Sequence, residues 1–168
     1  MASTRPKKLK FIGCEIIYRE ACHLAAAGPN QVDVEFLRKG LHDLETPDML
    51  AKVQSAIDAV DPRSGYEAIL LGYARCNDGV VGLQARQLPL VVPRAHDCIT
   101  FFFGGPAAYL EYFDSFPGTY YMTTGWAERN GFGVAGRWGF RGGSGLTGSG
   151  FFFRGGRREG PFEGSGLA

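Results

Sequence analysis

The chain is poor in the residues that most protein chemistry runs on. Its 168 residues include only four cysteines and three histidines, and no apolar stretch reaches the ~20 residues that a membrane-crossing helix needs. Four scattered cysteines do not make the disulfide framework of a small secreted domain. In a reducing compartment they stay thiols, available for packing, metal ligation or nucleophilic chemistry. A formal net charge of +1 removes the electrostatic drive toward nucleic acid or an anionic membrane, so neither is an expected partner. The phosphate-cradling GxxxxGK[ST] run is missing and the glycines after the first apolar run do not form GxGxxG, so no nucleotide is implied. The start MASTRPKKLK leads into a strand-like run without a signal-peptide core, which makes the cytoplasm the expected location.

What is present is enough apolar material, 45% of residues, for one core and therefore one domain. Residues 1–8 read as a polar, basic and disordered arm. KLKFIGC then reads as a strand ending at Cys14, and EIIYREACHLAAA as a helix stopped by Gly28 and Pro29. VDVEFL alternates like a second strand, and Leu41, His42 and Asp43 follow it in a loop. TPDMLAKVQSAIDAV predicts a helix, with Thr46 as N-cap, Pro47 in the first turn, and Leu50, Val53, Ile57 and Val60 at helical intervals. Residues 66–74, YEAILLGYA, predict a strand buried on both faces that ends in the turn residues Arg75, Cys76, Asn77, Asp78 and Gly79. VVGLQARQ predicts a short helix and LPLVVP a fourth strand. Residues 99–116 predict helix interrupted at Gly104 to Pro106, and TYYMTT a fifth strand followed by Trp126 and Glu128. Strands alternating with helices imply a three-layer Rossmann-like α/β domain over residues 9–129, with a mainly parallel sheet of about five strands and an incomplete C-terminal end.

After Arg129 the composition changes abruptly. Fourteen of the last 39 residues are Gly, and Lys, Ile, Tyr, Asp, His and Cys disappear. Such chain has too little apolar payload to offset its ordering entropy, so residues 130–168 are expected to be disordered. An RNA-contacting tail and an aberrant, frame-shifted end both fit, and the sudden onset favours the second.

In an open parallel sheet, ligands bind beyond the carboxyl ends of the strands. The residues expected there are Cys14 after the first strand, His42 after the second, Cys76 after the third, His96 and Cys98 after the fourth, and Trp126 with Glu128 after the fifth. Cys14, Cys76, His96 and Cys98 form a candidate ligand set for Zn²⁺, with Fe as the alternative that thiolates also suit. Arg75 and Arg94 stand beside that set as candidate carboxylate or phosphate clamps, and His42, Trp126 and Glu128 complete a substrate wall. A metal-free version makes Cys98 the nucleophile and His96 its base. Each residue also has an ordinary role, since free cysteines are commonly core-filling and a lone histidine is commonly a loop residue. Asp97 is a candidate cap for the segment that follows it.

The blocks FIGCEI, LLGYARCNDGVVGL, LVVPRAHDCITFFFG and PGTYYMTTGWAER together resemble the bacterial and archaeal family called domain of unknown function 1638 over residues 9–129. The resemblance implies a Rossmann-like core and a setting near corrinoid-dependent methyltransferase systems, hence a metal-binding enzyme acting on a small molecule in one-carbon or methyl metabolism. A non-catalytic metal-binding accessory protein for such a system is the alternative. The pair His96 and Cys98 with a distant Cys14 or Cys76 is also similar to the zinc motif of thiol-alkylating methyltransferases, except that here the distant cysteines lie upstream of the pair.

Overall fold

The computed structural model describes residues 5–129 and 151–153. Four parallel strands, β1 (Lys8–Cys14), β2 (Gln31–Leu37), β3 (Ala68–Gly72) and β4 (Leu90–Val91), form one sheet in the order β2-β1-β3-β4. The fold is a Rossmann-like α/β arrangement. β1 is central, with Phe11 opposite Val34 of β2 and Leu70 of β3, and Gly13 opposite Phe36 and Gly72.

The period of two along a strand assigns the two faces. Ile12, Ile69 and Leu71 share one face, which packs in a single buried cluster with Met49, Val53 and Ile57 of α2 (Thr46–Asp58). These spacings of four put three side chains on one helical stripe, and each buried aliphatic side chain contributes roughly 1.5–3 kcal/mol. Phe11, Gly13, Phe36 and Gly72 face the other way, toward α1 (Tyr18–Ala27), where Tyr18 meets the edge of Phe36. The two glycines are required there. A Cβ on Gly72 would stand 2.2 Å from the Phe11 ring and 2.9 Å from the Gly13 Cα.

Several expectations are corrected. Glu45, not Thr46, is the N-cap residue of α2, and the buried stripe begins at Met49 rather than Leu50. Residues 80–87 form turns and irregular chain instead of a helix. The fourth strand shrinks to two residues because Pro89 and Pro93, which lack N–H donors, bracket it. The interrupted helix resolves into α3 (Ile99–Phe102) and α4 (Pro106–Ser115). The fifth strand, β5 (Tyr120–Met122), leaves the parallel sheet and pairs antiparallel with β6 (Phe151–Phe153), and the loop expected after it is α5 (Thr124–Arg129). Part of the Gly-rich tail therefore holds a strand, while the disorder expected for its remainder falls on residues 130–150 and 154–168, outside the described residues. No helix among the described residues is long and apolar enough to cross a membrane.

Candidate thiol site at the strand ends

From β1 the chain crosses by α1 to β2 on one side, then returns by α2 to β3 on the other. These diverging crossovers leave a crevice beyond the carboxyl ends of β1 and β3, where open α/β sheets bind ligands. Cys14 is the last residue of β1. Cys76 opens a short 3₁₀ turn, Cys76–Asp78, just past β3, and Cys98 immediately precedes α3.

Two local devices bring the last pair together. The Arg75 N–H donates to the Ala95 carbonyl at 3.1 Å, joining the loop after β3 to the loop after β4. The Asp97 carboxylate then accepts from the Thr100 N–H at 3.0 Å and its hydroxyl at 3.2 Å, which fixes the turn into α3, although the N-cap residue of that helix is Cys98 rather than Asp97.

The thiols of Cys76 and Cys98 stand close enough that each shifts the ionisation of the other, with Cys98 acting as donor toward Cys76. The Cys98 donor, helped by the backbone N–H of Cys98 and that of Cys76 itself, brings the Cys76 thiol down to about 7 against the opposing effect of burial. Cys98 moves the other way, because a thiolate partner and burial both favour keeping its proton. Burial pushes the Cys14 thiol up to about 11, and Cys14 lies within electrostatic reach of both other sulfurs. Cys76 has the character of a thiolate and Cys98 that of its donor, where the metal-free version made Cys98 the nucleophile.

Tyr73 belongs to the same neighbourhood. It is 4% exposed, its hydroxyl is buried without a hydrogen-bond partner, and burial together with the nearby Cys14 and Cys76 raises its pKa. Its sequence signal is faint, a single hydroxyl at the C-terminal end of an apolar run. Glu15 was also not singled out from the sequence. It accepts from the Lys39 N–H at 3.0 Å and lies 3.6 Å from the Arg129 guanidinium.

The remaining candidates lie elsewhere or point elsewhere. The His96 side chain is 81% exposed, with its Nδ1 3.6 Å from the Asp97 carboxylate. Arg75 pairs with Asp78 on the surface, and Arg94 is exposed beside a cavity on the α1 face. Trp126 packs against the core with the Lys39 ammonium 4.9 Å from its ring centroid. Glu128 is held by Tyr18 and Arg19, which keep its carboxyl below the usual range. His42 lies in the 3₁₀ turn Lys39–Asp43. Cys22 is exposed on α1. Among the described residues, no group of three or more His, Cys, Asp or Glu side chains stands positioned to hold a metal ion.

No curated protein and no solved structure matches the chain. A family model does, over residues 36–143, so that Cys76, His96 and Cys98 fall inside the matched span, Cys14 ahead of it, and the likeness runs on past Arg129. Matched over more than half of its length, the chain belongs to the family described as protein of unknown function (DUF1638).

Proposed function

We propose that this chain is a cysteine-dependent enzyme acting on a small molecule, with Cys76 as the reactive sulfur and Cys98 as its hydrogen-bond partner. The observation that carries the reading is the placement of Cys76 and Cys98 on two loops joined at the carboxyl ends of the strands, where a doubly wound sheet opens its crevice. A thiolate held near neutrality by a neighbouring donor is the form of cysteine that attacks an electrophilic carbon. In that step the sulfur forms the new S–C bond, the displaced electron pair leaves with the substrate's leaving group or carbonyl oxygen, and the Cys98 S–H is the nearest proton source. The substrate class rests on the family resemblance alone: a small thiol- or methyl-bearing molecule of one-carbon metabolism. Site-resolved alkylation tests the reading. Cys76 should react with iodoacetamide near neutral pH well ahead of Cys14 and Cys98, with no effect of chelator, and a Cys76 that reacts no faster than Cys14 overturns it.

A second reading is favoured by the mutual electrostatic reach of Cys14, Cys76 and Cys98. Brought together by movement of their side chains and loops, these three sulfurs would ligate Zn, or Fe, leaving one position for a substrate thiol. Its non-catalytic form is a metal-carrying accessory protein for a corrinoid methyltransferase system. Elemental analysis of untagged protein tests it, since a preorganised thiolate site retains its metal through purification. A near-stoichiometric metal content supports it, and a metal-free preparation that takes up no zinc on addition removes it.

A further inference from the structure

The sheet face opposite α2 holds a cavity of about 530 Å³, within the range of small-molecule pockets. None of the three clustered cysteines lines it. Its floor is the Phe11 ring, which lies across Gly13 and Gly72 because neither carries a Cβ. Phe101 and Phe102 of α3 add further aromatic wall. The remaining side is α1, which buries no residue completely and leaves Leu24 69% exposed on the cavity wall. An apolar wall left this open is a surface that a ligand would cover at a gain.

Three polar side chains, Glu20, Arg94 and Thr100, interrupt the apolar lining. Glu20 of α1 also lines the cavity, and its Oε1 accepts from the Thr124 hydroxyl at 3.4 Å, while its Oε2 is buried with no hydrogen-bond partner. A buried carboxylate oxygen without a donor is costly, and the group that relieves it is an N–H or O–H donor, not an acceptor. Arg94 also touches the cavity but is exposed, so its charge acts through water and is screened.

We propose that this cavity is a binding site for a small apolar molecule of aromatic size carrying an N–H donor, which seats its ring over Phe11 and draws the Glu20 carboxylate, whose Oε2 is now shut off from the cavity, round onto its donor. The proposal stands apart from the thiol chemistry, because it requires no cysteine.

Phenethylamine and phenylacetate test it, as probes of similar size with opposite hydrogen-bonding ends, titrated into the full chain by ligand-observed NMR. Phenethylamine should bind about ten-fold or more tighter than phenylacetate. Glu20→Gln should remove that preference, and Leu24→Arg, at a position exposed enough to leave the fold intact, should weaken phenethylamine. Alkylation of the cysteines should leave binding unchanged. The proposal is overturned if phenylacetate binds as tightly as the amine, if the preference survives Glu20→Gln, or if neither probe binds at millimolar concentration.

Discussion

Replacing Cys98 by alanine removes the donor that holds the Cys76 thiol near 7, and the consequence can be worked through. The ordinary value is 9.0, so a thiol brought to about 7 is held toward the thiolate by roughly 3 kcal/mol. At pH 7 about half of Cys76 is thiolate in the native chain, against about 1% for a thiol at its ordinary value, a fall of roughly 50-fold. The more basic thiolate of the variant is intrinsically a better nucleophile by roughly 6- to 10-fold, so the alkylation rate at pH 7 should drop by about 5- to 8-fold. In the variant burial opposes ionisation of Cys76 while the backbone N–H groups of Cys76 and Cys98 still favour it, so the midpoint should rise from about 7 toward the ordinary value. The assay is the iodoacetamide rate at Cys76, followed by peptide mapping from about pH 5 to about pH 10, with exposed Cys22 as the internal reference. A midpoint that stays near 7 in Cys98→Ala would refute the reasoning, because the backbone donors would then suffice without the Cys98 thiol.

Two further outcomes concern stability. Gly125→Ala should destabilise the chain by about 3 kcal/mol, at the upper end of overpacking costs, because the added Cβ would stand 1.8 Å from the Ile16 carbonyl oxygen and 2.4 Å from its carbon, both backbone atoms. A urea midpoint within error of the native chain contradicts the packing of α5 on Ile16. Stability should also fall as pH rises above 9. Cys14 keeps its proton to about 11 when folded and loses it near 9.0 when unfolded, so the unfolded state binds fewer protons in that window and is favoured by rising pH. The loss from Cys14 alone should be about 2 kcal/mol by pH ~10.5, with Cys98 and Tyr73 acting in the same direction. Urea midpoints that do not move between pH ~8 and pH ~10.5 would count against buried, neutral thiols.

The parallel α/β class was legible because the chain alternates strand-like and helix-like patterns, and β1, α1 and β2 fall close to where the residues put them. The stripe on α2 was readable to within one residue. Val53 and Ile57 fit both the Met49 and the Leu50 registers, and only packing on Ile12 and Leu71 decides between them. That strand ends would gather Cys14 and Cys76 follows from topology, which sequence alternation implies. The direction of His96 does not follow, because the turn fixed by Asp97 and Thr100 sets it. Nor could the partner of β5 be read, since Phe151–Phe153 lies in a Gly-rich stretch with no strand period. Tyr73 went unread for a simpler reason: inside an apolar run, periodicity cannot distinguish a hydroxyl buried near two thiols from a ring that merely fills space.

The two readings of the thiol cluster differ in protons, and that difference can be counted. A thiol must lose its proton to ligate zinc. At pH 7 Cys76 is about half ionised, whereas Cys14, raised to about 11, and Cys98, raised by its thiolate partner and by burial, are fully protonated. Ligation by all three would therefore release about 2.5 protons per zinc at pH 7. Zinc binding through Cys76 alone would release about 0.5. Calorimetric titration of zinc in two buffers of different ionisation enthalpy measures this number directly. A count near 2.5 means that the Cys76–Cys98 hydrogen bond is a resting state broken by the metal. A count near 0.5 leaves that hydrogen bond intact and returns the chemistry to the thiolate, because Cys98 can serve as a donor to Cys76 only while it keeps its own proton.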